Sequence, residues 1–114
     1  MNTLTVTNEI DYTTIMTEKT ASVIWRDNNN QLGIRPTSVE ITLVKDGVTT
    51  STKLYVNAEN GWIATFENLQ KYTEEGREIT YTISQPQISG YQAPIYDLGG
   101  LRVTNNVNYP IEED

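Results

Sequence analysis

The feature that most constrains the fold is a succession of short segments rich in Thr, Val, Ile and Tyr, each ended by turn residues. Turn signals spaced by roughly 8 to 12 residues are typical of all-β sandwiches, because each short strand runs once along its sheet and the chain then reverses direction. Helical periodicity is nearly absent, and only residues 68–72 fit a single helical turn. The pattern predicts an all-β chain.

Seven segments are predicted to be strands: residues 21–26, 38–44, 53–56, 62–66, 79–84, 95–98 and 101–107. The Asp46-Gly47 pair between the second and third segments is a strong hairpin signal, since both positions of a tight two-residue turn need positive φ. Apolar residues alternate within the segments, so one face of each strand can be buried. Four inward rows predict two facing sheets: Val23 and Trp25; Val39, Ile41 and Leu43; Trp62, Ala64 and Phe66; and Ile79, Tyr81 and Ile83.

The composition excludes several classes of function. The chain has 114 residues, which suits one domain, and it contains neither cysteine nor histidine. Disulfides, thiolate nucleophiles, the usual zinc sites and a histidine base are therefore absent, so an enzyme is disfavoured and only carboxylate chemistry stays open. The net charge is −7 and the basic residues form no cluster, which argues against a nucleic-acid partner. No cofactor is predicted, and no segment resembles a membrane span or a signal peptide.

Two segments of the chain resemble each other. Residues 4–12 (LTVTNEIDY) and 101–109 (LRVTNNVNY) are identical at five of nine positions and lie 97 residues apart. A self-match at about one domain length indicates a tandem array, and chance similarity between two Thr-rich strands is the alternative. On the array interpretation, residues 1–16 are the last strand of a preceding repeat plus a linker, residues 17–109 form the β-sandwich, and residues 110–114 lead to the next repeat.

A series of motifs follows in order along residues 22–106. It comprises the strand containing Trp25, the loop DNNNQLG at 27–33, RP at 35–36, SVEITL at 38–43, NGW at 60–62, KY at 71–72, EITYTI at 78–83, GY at 90–91 and VTN at 103–105. Together these residues resemble the Cna protein B-type (CnaB) repeat domain of surface adhesins and pilins of Gram-positive bacteria. The resemblance implies a seven-stranded β-sandwich of inverse immunoglobulin-like (prealbumin-like) topology, in agreement with the predicted strands.

The resemblance also raises the question of a covalent cross-link. Many CnaB domains join a Lys on the first strand to an Asn on the last through an isopeptide bond, with a Glu nearby that moves protons. The matching positions here are Val23 for the Lys, Gln85 for the Glu and Asn105 for the Asn. Val has no nucleophile, and Gln cannot transfer a proton. The sequence therefore predicts that the isopeptide bond is missing.

One substitute nucleophile is conceivable. Lys19 has the same strand parity as Val23 and Trp25, but it lies four residues before Val23, or roughly 13 Å along an extended strand. Ordinary core packing of Val23 and hydrogen bonding of Asn105 are the favoured interpretation.

Two other groups of residues are candidate sites. The Asx-rich loop containing Asp27 and Asn29 faintly resembles a calcium loop, but it has one carboxylate and lacks a terminal bidentate Glu, so no metal is predicted. Arg35 is expected to order this loop. The aromatic residues are expected to be mostly core rather than a sugar-stacking platform, with Tyr91 and Tyr96 as the pair to examine for exposure.

Taken together, these residues predict a structural function. The expectation is a monomeric spacer repeat in the stalk of an extracellular, wall-anchored adhesin, which displays a distal binding domain and has neighbouring repeats of the same chain as partners. The alternative is a module that binds a host protein or glycan through the loops at one end of the sandwich. Membrane insertion of this segment is not expected.

Overall fold

A computed structural model describes residues 10–108 as two β-sheets packed face to face. One sheet has the strand order β4-β1-β7-β6 and the other β3-β2-β5. The predicted seven-stranded all-β sandwich is therefore confirmed. The strands are β1 Met16–Arg26, β2 Ser38–Lys45, β3 Val48–Asn57, β4 Ile63–Gln70, β5 Tyr81–Ser84, β6 Ile95–Asp97 and β7 Arg102–Asn106, with short 3-10 helices at Tyr12–Thr14 and Ala58–Asn60.

The first and last strands lie side by side and run in the same direction. Ser22 of β1 is opposite Arg102 of β7, and the register continues without interruption to Arg26 opposite Asn106. The other strand pairs of residues 10–108 are antiparallel. Because β1 and β7 are parallel, the chain enters the sandwich at one end and leaves it at the other.

The core lies between the two sheets and follows the predicted alternation. The inward rows of β2 and β5 are fully buried, as is Val23, while Trp25, Trp62 and Ala64 pack against this core and are partly exposed. Burial of branched apolar side chains from both sheets supplies the main favourable free energy, about 25 cal/mol per Å² of apolar surface removed from water. The core comprises Ala21, Val23, Val39, Ile41, Leu43, Val56, Phe66, Ile79, Tyr81, Ile83 and Val103.

The hairpin predicted at Asp46-Gly47 is present. Both residues have positive φ, 49° and 80°, as a tight two-residue turn between twisted strands requires. The turn allows β3 to begin at Val48, five residues before the predicted start. The predicted strand was too short because its Thr- and Ser-rich first half has little apolar alternation, whereas pairing with β2 keeps it extended.

Apart from β3, strands β1 and β4 differ most from their predicted boundaries, and the remaining strand ends differ by one or two residues. β1 begins at Met16 rather than at residue 21, because its first half pairs with β4. β4 begins after Trp62, whose φ of 61° is outside the β region, and it continues to Gln70. The helical turn considered for residues 68–72 is therefore wrong, since pairing with β1 overrides the weak local preference.

Residues 12–15, which the sequence assigns to a linker, pack against the sandwich. The Tyr12 ring contacts Tyr72 edge to face at 5.7 Å between centroids. A Cβ atom on Gly76 would lie 2.8 Å from the Tyr12 ring, so only glycine fits there without a shift of that ring. The carbonyl of Ile15 accepts a hydrogen bond from the Lys71 N–H. Residues 1–9 and 109–114, and with them most of the upstream copy of the sequence repeat, lie outside the described residues.

The position of the core predicts that truncation of two isoleucines lowers the free energy of unfolding by very different amounts. Ile41→Ala should lower the free energy of unfolding by about 2 to 5 kcal/mol, because Ile41 is fully buried and its truncation leaves a cavity. Ile63→Ala, at a side chain that is 48% exposed, should lower it by less than about 1 kcal/mol. Urea denaturation followed by tryptophan fluorescence measures both; similar losses would contradict the assignment of the core.

Candidate functional site

Two of the three positions that match the isopeptide residues of CnaB domains, Gln85 and Asn105, meet between the sheets, and the third, Val23, is buried in the core. Val23 is opposite Val103 in the β1–β7 pair, and Trp25 is opposite Asn105. Asn105 is fully buried, and Gln85, directly after β5, is 9% exposed. The last strand and the end of β5 thus meet at a buried polar pair, while Val23 of the first strand packs in the apolar core.

Gln85 and Asn105 form a reciprocal amide pair across the two sheets. Gln85 Nε2 donates to Asn105 Oδ1 at 2.7 Å, and Asn105 Nδ2 donates to Gln85 Oε1 at 3.1 Å. The Gln85 backbone N–H donates to the Tyr96 hydroxyl at 3.0 Å. Each amide therefore satisfies the other, which avoids the penalty of about 1 to 3 kcal/mol for an unpaired buried polar group. This site offers hydrogen bonds but no amine nucleophile and no ionisable acid.

Lys19 lies elsewhere in the sandwich. It is partly buried, its Cα partner in β4 is Phe66, and it lines a shallow groove together with Tyr81. Trp25, the partner of Asn105, lies six positions after Lys19, or about 20 Å along an extended strand. The structure does not bring Lys19 and Asn105 together.

A second buried polar group closes the end of the sandwich where the chain leaves it. Asp27, which follows β1, is 2% exposed and pairs with Arg35 through two hydrogen bonds: Arg35 Nε to Asp27 Oδ2 at 2.9 Å and Arg35 Nη2 to Asp27 Oδ1 at 2.6 Å. The Tyr91 hydroxyl donates to Asp27 Oδ2 at 2.7 Å. We call these three residues the Asp27 lock. It joins the end of β1, the following loop and the segment between β5 and β6.

The loop between Asp27 and Arg35 is shaped by its asparagines. Asn28, Asn29 and Asn30 all have φ between 52° and 60°, a region that Asn adopts at lower cost than most residues other than glycine. Asp27 Oδ1 accepts the N–H of Asn30 at 3.1 Å, and the Asn30 side chain accepts the N–H of Arg35 at 3.0 Å. Both Asp27 oxygens are thus engaged within the protein. Among residues 10–108 no cluster of three His, Cys, Asp or Glu residues could hold a metal ion.

Aromatic rings surround this lock. Trp25 contacts Trp62 and Tyr91 edge to face, each at 5.1 Å between centroids, and the Arg35 guanidinium lies 5.4 Å from the Trp25 ring centre. Tyr91 is buried, whereas Tyr96 is 39% exposed. Trp62, directly before β4, has an uncommon positive φ, a strain of order 1 to 3 kcal/mol, and its backbone N–H donates to the Asn57 carbonyl at 2.8 Å.

The electrostatics of the lock favour one protonation state. Hydrogen bonds from Arg35, with a further one from Tyr91, lower the pKa of Asp27 to about 2 despite its burial. Burial, together with donation to Asp27, raises the pKa of Tyr91 to about 12. Asp27 is therefore ionised and Tyr91 is protonated across the physiological pH range, and neither group is poised to transfer protons near pH 7.

The sequence predicted that Arg35 orders the loop, but it did not reveal the partner that closes the lock. Tyr91 lies 64 residues after Asp27, in a stretch without strand periodicity. The local sequence indicates the Asp27–Arg35 pair only through one acidic and one basic residue on either side of an Asx-rich loop.

Comparison with known proteins shows which family shares this architecture. The sequence model of the Cna protein B-type domain matches residues 20–106. The Collagen adhesin of Staphylococcus aureus is 35% identical over 108 residues, which cover 92% of this chain and 9% of the adhesin. The crystal structure of a single B repeat unit (B1) of the collagen-binding surface protein of S. aureus has a TM-score of 0.75 at 32% identity, covering 82% of this chain and 51% of that one. The structure with two B repeat units (B1B2) gives 0.70 at 29% identity, covering 83% and 26%.

The fold and the strand order define an immunoglobulin-like β-sandwich domain. The chain belongs to the Cna protein B-type domain family, and it is similar to the B repeats of the collagen adhesin. It spans only 9% of the length of that adhesin.

The Asp27 lock predicts that the stability difference between the wild type and an Asp27→Asn variant depends on pH. Asp27→Asn should lower the free energy of unfolding at pH 7 by about 2 to 4 kcal/mol, because Arg35 and Tyr91 lose their charged partner. The lowered pKa of Asp27 means that its carboxylate stabilises the fold fully above about pH 4 and loses this contribution as the pH falls towards 2. The difference between wild type and variant should therefore shrink over that range.

Asp97→Asn is the matched control for this substitution. Asp97 also pairs with an arginine through two hydrogen bonds, but both side chains of this Arg102 pair are exposed. Its loss should lower stability much less than the loss of Asp27. Urea denaturation at several pH values measures both effects, and a pH-independent difference for Asp27→Asn would contradict the assignment.

Proposed function

We propose that this module is a spacer in the stalk of a bacterial surface adhesin and holds a distal binding domain away from the cell wall. The observation that carries the proposal is the parallel pairing of β1 with β7, which places the start of β1 and the end of β7 at opposite ends of the sandwich. Modules built in this way add their length along a tandem array, whereas modules with adjacent ends would fold the array back on itself.

The internal sequence repeat supports neighbouring modules as partners. The β7 positions Val103, Asn105 and Val107 are buried, and the corresponding upstream residues are Val6, Asn8 and Ile10. The upstream segment therefore has an apolar residue wherever β7 buries one, and it has an asparagine at the position of the buried Asn105. We assign residues 4–10 to the last strand of a preceding module on this basis, and the contacts of Tyr12 move the proposed start of the present module to about residue 12.

The remaining parts of the proposal follow from the family. The relatives are surface adhesins of a Gram-positive bacterium, and an extracellular, wall-anchored location is proposed for this chain by analogy. Within residues 10–108 no helix has the length and hydrophobicity of a membrane span. A role without catalysis is proposed because the Gln85–Asn105 pair lacks ionisable groups and the Asp27 lock is held in one protonation state.

We also propose that the module lacks the isopeptide bond, with the Gln85–Asn105 amide pair in its place. The intact mass of the wild type should equal the sequence mass. The double variant Val23→Lys, Gln85→Glu should lose one ammonia, because it restores an amine and an acid beside the Asn105 amide in a dry site that favours their neutral forms. Mass spectrometry of the denatured proteins reads both results.

The control for the double variant is Val23→Lys, Gln85→Glu combined with Asn105→Asp, which has no amide to release ammonia. Peptide mapping of the double variant should recover two peptides joined between the introduced lysine at position 23 and Asn105. A wild-type protein that is one ammonia lighter than its sequence, with Lys19 linked to Asn105, would refute the proposed absence of the bond.

A groove at the end where the chain leaves the sandwich favours a second candidate function, binding of a host protein. The groove has a volume of about 470 Å³ and is lined by Asn30, Arg35, Pro36, Thr37, Asn57, Ala58, Glu59 and Trp62. An aromatic ring beside polar side chains is common at binding sites. Because a relative is named a collagen adhesin, collagen is the first probe.

The spacer proposal predicts no saturable binding of this chain to immobilised collagen in surface plasmon resonance. Saturable binding that is lost in Glu59→Ala, a substitution at an exposed groove residue outside the aromatic cluster, would favour the second function instead.

A further inference from the structure

We propose that the module bears tensile force through shear of the β1–β7 pair, with the Asp27 lock as the mechanical latch at its C-terminal end, and that it extends reversibly once this latch yields. The inference rests on the proposed function in one respect, that a spacer is loaded through both chain ends. It adds a mechanical function. Hydrogen bonds and packing resist the force, because the proposed module has no covalent bond between the strands.

The direction of the strands determines how force acts on them. Tension pulls β1 from its first residue, Met16, and β7 from its last, Asn106. Because the two strands are parallel and adjacent, these pulls slide them past each other along their axes. The five paired positions from Ser22–Arg102 to Arg26–Asn106 are then loaded together, whereas a pull across the pair would break them one at a time. Loading in shear therefore gives the higher barrier.

The ladder continues beyond the last strand pair. The Val107 N–H donates to the Arg26 carbonyl at 3.0 Å, and Val107 forms an antiparallel bridge with Tyr91. The Asn108 N–H donates to the Gly90 carbonyl at 2.9 Å. The segment through which force reaches β7 is thus attached both to the end of β1 and to the Gly90–Tyr91 turn.

The Tyr91 side chain links this attachment to the end of β1. Its hydroxyl donates to Asp27, the residue after β1, and its ring packs on Trp25, the partner of Asn105. Arg35 holds the Asp27 carboxylate on its other side. Sliding of β7 relative to β1 moves Val107 and Tyr91 away from Asp27, so the hydrogen bond from Tyr91 must break before the ladder can shift. Hydrogen bonds to charged, buried groups are the stronger ones, which suits a latch.

Force spectroscopy of the full chain tests both parts of the inference. The sequence has no cysteine, so Ile10→Cys with Asn108→Cys attaches handles at the two ends of the sandwich. Leu98→Cys with Ile10→Cys moves one handle to the start of β7 and pulls the β1–β7 pair open from one side. Both Ile10 and Leu98 are exposed. The first geometry should unfold at clearly higher force, in one step of roughly 300 Å of contour at about 3.4 Å per residue, and it should refold on relaxation.

The latch is tested in the first geometry with Tyr91→Phe, which removes the hydroxyl and keeps the ring. Unfolding at fixed force should become roughly ten-fold faster, the effect of losing one hydrogen bond to a buried charge. Thr50→Val is the matched control, because it removes a 2.7 Å hydroxyl hydrogen bond to the Leu43 carbonyl in the other sheet, away from β1 and β7. It should change the rate less than about three-fold. Urea denaturation of both variants reports their equilibrium stability independently.

The possible outcomes separate the claims. Equal unfolding forces in the two pulling geometries would overturn the shear clamp. Equal acceleration by Tyr91→Phe and Thr50→Val at similar equilibrium stability, or no effect of Tyr91→Phe, would overturn the latch. A wild type that gives no long extension step would instead reveal a covalent link and refute the proposed absence of the isopeptide bond.

Discussion

The parallel pairing of β1 with β7 is the constraint on which the rest of the structure depends. It fixes the start of β1 and the end of β7 at opposite ends of the sandwich, and it sets Val23 opposite Val103 and Trp25 opposite Asn105. Parallel strands that are first and last in the chain can pair only when all the intervening residues have folded around them. The contact is therefore a property of the whole module, and breaking it amounts to unfolding the module.

The buried amide pair joins β7 to the end of β5 beside this strand pair. In CnaB domains that carry a cross-link, a lysine and an acid share the dry space between the first strand, the last strand and the end of β5. Here Val23 is an aliphatic core residue, and Gln85 and Asn105 satisfy each other's hydrogen bonds. Asn105 is fully buried, and Gln85 supplies the amide partner that its side chain needs. This pair carries no ionisable group.

The Asp27 lock serves the same pair of strands at the end where the chain leaves the sandwich. A buried carboxylate is expensive to desolvate, and it is tolerated here because Arg35, Tyr91 and a backbone N–H together supply four hydrogen bonds to its two oxygens. Such an arrangement is weak evidence for high stability, since apolar side chains of equal volume can be as stabilising. It does specify geometry: the long loop after β1 and the turn at Gly90–Tyr91 are held in one relative position, beside the groove containing Trp62.

The sequence by itself determined the fold class, the inward rows of β2 and β5, and the hairpin at Asp46-Gly47, because alternation and turn chemistry act within a few residues. The motif series also pointed to Gln85 and Asn105, which pair in the structure, and its interpretation of Val23 as an altered lysine position stays a prediction. The sequence did not determine the early start of β3, the left-handed Trp62 or the Tyr12 contacts, since pairing and packing with distant residues decide each of them. Only the tertiary structure decided that Tyr91 donates to Asp27 and that β1 and β7 are parallel. Both contacts join residues more than 60 positions apart, and local periodicity carries no information about such partners.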